Sequence, residues 1–190
     1  WLCFLHQNGL NGCLADDMGL GKTVQTLALL QKLKEKKKLR PALLVVPVST
    51  VANWEQEIAR FTPGLTVLRH LGIERGADET EMRAHDIVIT SYHTLRNDIG
   101  VFSGVGFSAL VLDEAQNIKN ASTKVFRAVK ALRAPFRLAL SGTPIENSTG
   151  ELWALFDVLN PGLLGTKESF ASRFARPIEK HADADAAKRL

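Results

Sequence analysis

The chain has 190 residues, of which 45% are hydrophobic and 23% are charged, so it is long enough for one domain with a buried core. No apolar run reaches the roughly 18 residues that a membrane-spanning helix needs, so the sequence predicts a soluble globular domain with no membrane partner. The net charge of +4 fits a polyanionic partner without identifying one.

Metal ligation by cysteine or histidine is not predicted. Cys3 and Cys13 have neither the spacing of a metal site nor a disulfide framework around them, so buried free thiols are expected. The five histidines have no cysteine partner and form no H-x-x-x-H pair. They are scattered along the chain at His6, His70, His85, His93 and His181.

Short apolar runs rich in β-branched residues recur along the chain, separated by polar turns and by segments of helical periodicity. This alternation predicts an α/β fold with a mainly parallel central sheet and helices on both faces. The predicted strands are Gly12–Ala15, Ala42–Val46, Thr66–Leu71, Asp86–Thr90, Ala109–Asp113 and Arg137–Ser141.

After the first strand, the run LADDMGLGKTVQTLALL (residues 14–30) places glycines before an amphipathic helix. Gly19 and Gly21 lack a Cβ, so they can adopt the positive φ angles that turn successive N–H groups toward an anion. Lys22 would then reach the β- and γ-phosphates of a nucleotide, and the Thr23 hydroxyl would reach Mg²⁺. The strict G-x-x-x-x-G-K-[ST] pattern fails at its first position, which is Asp16.

The following helix ends in the basic run QKLKEKKKLR, residues 31–40. Cations are favoured at a helix C-terminus, so a solvated helix end explains this run. Contact with nucleic acid is the alternative.

A helix is also predicted from the spacing of Val51, Trp54, Ile58 and Phe61, which ends at Pro63-Gly64. A second apolar stripe, Val125, Val129 and Leu132, precedes Pro135. At Ser148 the pattern predicts a capping box with Glu151 and a helix that ends at Asn160-Pro161-Gly162.

Two adjacent acids, Asp113 and Glu114, end the predicted fifth strand. Ligands of parallel sheets bind at the carboxyl ends of the strands, so both acids are expected near the phosphate loop. Asp113 could hold the metal, and Glu114 could polarise a water molecule for attack on the γ-phosphate. A solvated acidic turn is the plainer alternative.

The sixth predicted strand leads into LSGTPIENS, residues 140–148, which brings Ser141, Gly142 and Thr143 to the same edge. An ordinary turn, in which the two hydroxyls bond their own backbone, is the alternative.

Together these residues resemble the first RecA-like lobe of the Swi/Snf-type double-stranded DNA translocases, a branch of helicase superfamily two. The resemblance covers nearly the whole chain and includes Asp16 at the first loop position. In the acidic motif LDEAQNIKN, Gln116 stands where related motifs have a histidine. This replacement often occurs in family members that look bacterial. The matching phrases are ADDMGLGKTVQ, LLVVPVSTVANWEQEI, TSYHTLRND, LDEAQNIKN, LSGTPIENS and ELWALFDVLNPGLLG.

The resemblance implies ATP and Mg²⁺ as cofactors, with Lys22, Asp113 and Glu114 as the catalytic group. The nucleotide-binding residues it implies are Asp17, Met18, Gly19, Leu20, Gly21, Lys22 and Thr23, with Thr23 and Asp113 on the metal. The resemblance also implies a group of residues through which the bound nucleotide controls how tightly DNA is held. These residues are Gln116, Ser141, Gly142 and Thr143. The residues implied to face one DNA strand are Ser49, Thr50, Asn53, Thr90 and Tyr92, whereas Trp54 is expected in the helix core.

The resemblance also predicts the domain organisation. Residues 1–176 would form the ATP-binding lobe, truncated at both ends, and residues 177–190 a solvated helix or fraying tail that leads to a second lobe. That second lobe would be a partner and would supply arginine fingers, which are worth about 10³ to 10⁵ in rate, so the fragment alone should hydrolyse ATP negligibly. The implied location is the bacterial cytoplasm, on the nucleoid, or a eukaryotic nucleus.

The predicted function is therefore that of the ATP-binding lobe of a motor on double-stranded DNA. The alternatives are a P-loop phosphotransferase and a non-hydrolysing DNA-binding or adaptor domain. The sequence does not identify the DNA-bound complex on which the motor acts. A nucleosome, an RNA polymerase, another DNA-bound protein or a restriction-type complex would all be compatible with this lobe.

Overall fold

The computed structural model describes residues 1–17, 19–73, 75–76, 78–142, 148–181 and 183–190. Two of the predicted site residues, Met18 and Thr143, lie outside the described residues.

A sheet of six parallel strands forms the centre of the fold. All six predicted strands are confirmed, with slightly different ends. They are β1 (Gly12–Leu14), β2 (Ala42–Val46), β3 (Val67–Arg69), β4 (Ile87–Ser91), β5 (Ala109–Leu112) and β6 (Phe136–Leu140). Their order is β1-β6-β5-β2-β4-β3, so the strands that carry the phosphate loop and the acids are separated only by β6.

Helices cover both faces of the sheet. They are α1 (Leu2–Gln7), α2 (Lys22–Glu35), α3 (Val51–Phe61), α4 (Glu79–Arg83), α5 (Tyr92–Asn97), α6 (Ile99–Val105), α7 (Lys124–Ala131), α8 (Thr149–Leu159), α9 (Lys167–Phe170), α10 (Arg176–His181) and α11 (Ala184–Arg189). Short 3₁₀ turns at Val48–Thr50 and Ala115–Ile118 and a π-helical turn at Ala171–Ala175 complete the order.

The core consists of two apolar layers, one on each face of the sheet. In β2, Leu43 and Val45 pack into one layer, which also contains the buried side chains of α4 to α8. Leu44 and Val46 point to the opposite face, where they pack with α1, α2 and α3. Because side chains alternate along a strand, covering both faces explains why every residue of β2, β4, β5 and β6 is buried.

The capping box predicted at Ser148 is wrong. Ser148 makes no capping hydrogen bond, and Glu151 lies 3.4 Å from the Lys119 ammonium. Instead, Glu179 accepts hydrogen bonds from the Thr149 N–H at 2.7 Å and the Thr149 hydroxyl at 2.8 Å. A carboxylate from α10 therefore replaces the local capping box at the start of α8.

The predicted tail is helical in α10 and α11, and Ala186 is fully buried. Cys3 and Cys13 are free thiols but only half-buried, and burial raises the pKa of Cys13 to about 11. None of the helices in the described ranges has both the length and the apolar character needed to cross a bilayer.

Candidate nucleotide-binding site

A pocket of about 290 Å³ lies at the carboxyl edge of the sheet, where the chain leaves β1, β2 and β5. Its position follows from topology, because parallel strands bring their carboxyl ends to one edge. The pocket is lined by Gly19, Gly21, Lys22, Thr23, Val24, Thr50, Asn53, Trp54, Glu57, Asp113 and Glu114. The phosphate loop and the two acids, predicted from separate motifs, therefore meet at one pocket.

The phosphate loop has the backbone conformation expected from its glycines. Gly19 has φ +84° and Gly21 has φ +78°, and a Cβ at either position would meet no atom within 4 Å. The requirement for glycine is therefore conformational and does not come from crowding. Gly21 is the N-cap of α2 and has no side chain to cap it, which leaves the first-turn amides of α2 for an anion.

Lys22 is held by its own loop in this structure. Its ammonium donates to the backbone carbonyl of Asp16 at 2.6 Å and to that of Asp17 at 2.9 Å. Gln25, one turn further along α2, donates to the Asp16 carboxylate at 3.2 Å and to the Leu20 carbonyl at 3.3 Å. Sequence reasoning did not identify Gln25, although its helical spacing from Lys22 was visible.

The Asp113 carboxylate is fixed through both of its oxygens. Oδ1 accepts the Glu114 N–H at 3.0 Å, and Oδ2 accepts the Trp54 indole N–H at 2.8 Å. Burial raises the pKa of Asp113, and the Glu114 charge adds to this, while the Trp54 hydrogen bond and the Lys22 charge act in the opposite direction. The pKa of Asp113 stays above its ordinary value, so its environment favours a neighbouring cation.

Trp54 has two roles that the sequence did not separate. It is 1% exposed and packs in the layer beneath α2 and α3, as predicted for a core residue. It is also the donor to Asp113. A buried indole N–H needs an acceptor, and this requirement is the signal that could have pointed to the contact.

Two residues expected to face DNA have buried side chains here. The Thr90 side chain is fully buried, and its hydroxyl donates to the His70 carbonyl at 3.0 Å. Tyr92 is 7% exposed and donates to the Asp113 backbone carbonyl at 2.6 Å. Tyr92 therefore supports the backbone at the end of β5, and contact of Thr90 and Tyr92 with DNA stays a prediction.

The other residues expected to face DNA lie near the pocket. Ser49 and Asn53 are exposed and Thr50 is half-buried. Thr50 and Asn53 also line the pocket that contains Lys22.

Glu114 begins a chain of hydrogen bonds that leads to β6. It adopts φ +48°, a left-handed conformation that is strained for a residue with a side chain. Gln116 donates to the Glu114 carboxylate at 2.7 Å, and the buried Ser141 hydroxyl approaches the Gln116 side-chain oxygen at 3.5 Å. The structure thus connects three residues of the predicted catalytic and coupling groups, with Gly142 next in sequence.

Replacing Trp54 with phenylalanine should test its contact with Asp113. Phenylalanine keeps an aromatic ring in the core but is smaller and has no N–H, so the donor that lowers the pKa of Asp113 is lost and that pKa should rise further. A raised carboxyl pKa keeps Asp113 protonated to a higher pH, so we expect Mg²⁺-nucleotide affinity to fall and its pH dependence to move upward. Carboxyl-carbon NMR titration and Mg²⁺-dependent nucleotide binding measure the two effects.

Trp153→Phe is the matched control. Trp153 is also buried, and its indole donates to the Gly165 carbonyl at 3.0 Å, away from the pocket. An Asp113 titration that is identical in Trp54→Phe and Trp153→Phe would exclude the positioning role.

Comparison with known proteins gives a consistent result. The family described as SNF2-related domain matches residues 1–190. The chain is 43% identical over 198 residues to the TATA-binding protein-associated factor mot1 of Schizosaccharomyces pombe, covering 97% of this chain and 10% of that protein. It is 40% identical over 195 residues to the human chromatin-remodeling ATPase INO80, covering 96% of this chain and 12% of that protein.

Solved structures agree with the sequence comparison. The SWI2/SNF2 ATPase core of Sulfolobus solfataricus in complex with double-stranded DNA superimposes with a TM-score of 0.93 at 43% identity. The match covers the whole of this chain and 40% of that chain. The chain therefore spans less than half of the length of these similar proteins.

Proposed function

Because the chain belongs to the SNF2-related domain family, we propose that it is the ATP-binding lobe of a motor that couples ATP hydrolysis to movement on double-stranded DNA. The observation that carries this proposal is the meeting of the Lys22 loop with Asp113 and Glu114 at one pocket. A P-loop phosphotransferase is less well supported, since the similar proteins are SNF2-family ATPases.

The loop residues would bind the triphosphate of ATP. The first-turn amides of α2 and the amides of Asp17, Gly19, Leu20 and Gly21 would donate hydrogen bonds to phosphate oxygens. Lys22 would exchange its two carbonyl acceptors for the β- and γ-phosphates, which are stronger acceptors because they are charged.

Thr23 and Asp113 are the residues that would hold Mg²⁺. A hydroxyl and a carboxylate are oxygen donors of the kind this ion takes, with the remaining positions filled by phosphates and water. Among the described residues no cluster of three or more His, Cys, Asp or Glu could hold a metal. When bound, Mg²⁺ neutralises charge on the phosphates.

Glu114 would accept a proton from the attacking water, and the strained backbone would hold its carboxylate in place. Gln116 and Ser141 would transmit a change at Glu114 to Gly142, which follows Ser141 in sequence. In this proposal the hydrogen bonds that link Glu114, Gln116 and Ser141 let the bound nucleotide control how tightly DNA is held.

Double-stranded DNA is the proposed partner, with Ser49, Thr50 and Asn53 as candidate phosphate contacts near the pocket. The solved relative bound to duplex DNA supports this choice. A second RecA-like lobe would complete the ATPase, so this chain alone should bind ATP but hydrolyse it slowly. The protein would act where DNA is, in the bacterial nucleoid or a nucleus, on an RNA polymerase or another DNA-bound protein.

Two measurements on the full-length protein test the proposal. We expect ATP hydrolysis to rise by about 10-fold or more when duplex DNA is added, and a triplex-forming strand to be displaced only with ATP present. Phosphate should be released to water, with no phosphorylated acceptor formed. A rate of ATP hydrolysis that does not change when duplex DNA is added would contradict the motor function. A phosphorylated small molecule as product would also contradict it.

A further inference from the structure

Residues 113–118, which we call the acidic turn, have a backbone conformation that the rest of the structure must hold. Glu114 has a φ of +48°, and a residue with a side chain persists in this left-handed region only when its surroundings stabilise it. Within the turn, the Asn117 side-chain amide donates to the Glu114 carbonyl at 2.8 Å, but this contact is exposed. The position of the Glu114 carboxylate therefore depends on contacts from outside the turn.

Lys119, which directly follows the acidic turn, links the turn to the start of α8. Its ammonium lies 3.4 Å from the carboxylate of Glu151 in the first turn of α8, and the two side chains are 7% and 14% exposed. Charges so far from water are screened less than charges at a surface. Ile118 is fully buried and packs in the same core layer as Ala154 of α8. The end of the acidic turn is therefore attached to α8 by an ion pair and by apolar packing.

The start of α8 is held in turn by α10. The Glu179 carboxylate of α10 accepts hydrogen bonds from both the N–H and the hydroxyl of Thr149, the first residue of α8. A carboxylate is favoured there because the unpaired N–H groups make a helix N-terminus positive. The same helix end also carries Glu151, whose charge is offset by Lys119. Glu179 from α10 and Lys119 from beside the acidic turn therefore fix one end of one helix.

We propose that Glu179, Glu151 and Lys119 are positioning residues for ATP hydrolysis. Through the start of α8 they hold the acidic turn, and with it the carboxylate of Glu114, where that carboxylate can accept a proton from water. This inference rests on the proposed function, because it takes Glu114 as the group that activates water. It extends that function to α10, whose described residues do not line the nucleotide pocket. A displacement of α10 would therefore slow hydrolysis without changing any residue that contacts ATP.

The test compares two single variants of the full-length protein that lose the same kind of contact. Glu179→Ala removes a carboxylate that accepts two hydrogen bonds at the start of α8. The control, Asp183→Ala, removes a carboxylate that accepts two hydrogen bonds at the start of α11, from the N–H groups of Asp185 and Ala186. Both variants lose one negative charge, but Asp183 caps its own helix and does not contact α8. Neither side chain is buried, so both variants should fold.

We expect Glu179→Ala to lower the kcat of DNA-stimulated ATP hydrolysis by about 3- to 10-fold, because a small misplacement of a reacting group slows the reaction. The KM for ATP should change by less than about twofold, since the loop that binds the phosphates is unaltered. Glu179→Gln should recover most of the kcat, because its amide oxygen can still accept the hydrogen bonds from Thr149. Asp183→Ala should keep the kcat of the parent protein.

A double variant tests whether α10 acts through the ion pair. Lys119→Met removes the ammonium and keeps an unbranched apolar side chain, so it should lower kcat at least as much as Glu179→Ala. Adding Glu179→Ala to Lys119→Met should then change kcat by no more than about twofold, whereas the effects of independent sites would multiply. A multiplied loss would show that α10 does not act through Lys119 and would overturn the proposal. The comparison of Glu179→Ala with Asp183→Ala does not depend on Lys119→Met being stable.

Amide hydrogen exchange reports on the acidic turn without requiring hydrolysis. The Asn117 N–H donates to the Glu114 carbonyl at 3.1 Å, so its exchange rate measures how firmly the turn is held. We expect this amide to exchange faster in Glu179→Ala and at the parent rate in Asp183→Ala. Equal kcat values, or equal exchange rates, in these two variants would overturn the proposal. A parent protein that does not hydrolyse ATP would contradict the proposed function, but the difference in exchange would still decide whether α10 holds the turn.

Discussion

Replacing Lys22 with alanine is expected to abolish measurable ATP binding and, in the full-length protein, DNA-stimulated hydrolysis. The ammonium is the cation of the phosphate loop, and it is already positioned at the loop by two carbonyl acceptors. Removing one preorganised donor from such a site costs about 10²- to 10³-fold in catalytic rate. Calorimetry with ATP measures the loss of binding, and phosphate release measures the loss of hydrolysis.

The control for Lys22→Ala must separate lost charge from a loosened loop. Gln25→Ala removes the contacts to Asp16 and Leu20 but keeps the cation, so it loosens the loop alone. We expect Gln25→Ala to retain ATP binding within about tenfold, because the two lost hydrogen bonds, one of them to a carboxylate, are long and exposed and together contribute about 1 kcal/mol. ATP affinity that is unchanged in Lys22→Ala would remove the role assigned to the loop.

Replacing Glu114 with glutamine should give a different result, in which ATP binds but is not hydrolysed. The substitution keeps the shape and leaves an oxygen that can still accept the hydrogen bond from Gln116, but it removes the proton acceptor. General-base catalysis of this kind is worth about 10² to 10⁴ in rate. Phosphate release with duplex DNA present, measured beside ATP binding, separates this result from that of Lys22→Ala.

Glu57→Gln is the matched control for Glu114→Gln, because Glu57 lines the same pocket and the change in charge is identical. Its hydrolysis rate should stay near that of the parent protein. Wild-type rates in Glu114→Gln, or equal losses in both variants, would show that Glu114 does not activate water.

Much of the fold could be predicted because its signals are local. Each strand is a short apolar run, and α3 and α7 follow stripes with helical spacing. The prediction of a capping box at the start of α8 was wrong because the contact there is not local. Glu179, thirty residues along the chain, supplies the carboxylate, and no local pattern around Ser148 contains that information.

The features of the candidate site also fall into two groups, those that the local sequence predicts and those that depend on tertiary packing. Glycine spacing predicted the positive φ angles of Gly19 and Gly21, because that requirement belongs to the residue itself. Thr90 and Tyr92 were assigned to DNA by family resemblance, but the packing of β4 and α5 buries both side chains. Whether a polar residue at a strand end faces solvent or core depends on the helix that follows it, and the sequence does not state this.

The sequence by itself determined the strands, the phosphate loop and the acidic pair, since hydrophobic period, glycine conformation and charge are properties of neighbouring residues. Only the tertiary structure decided that Trp54 would hold Asp113 across 59 positions of sequence and that Gln116 would join Glu114 to Ser141. Such contacts depend on strand order and on how each helix lies against the sheet. Strand order and helix placement are determined by the packing of the whole core rather than by any short segment.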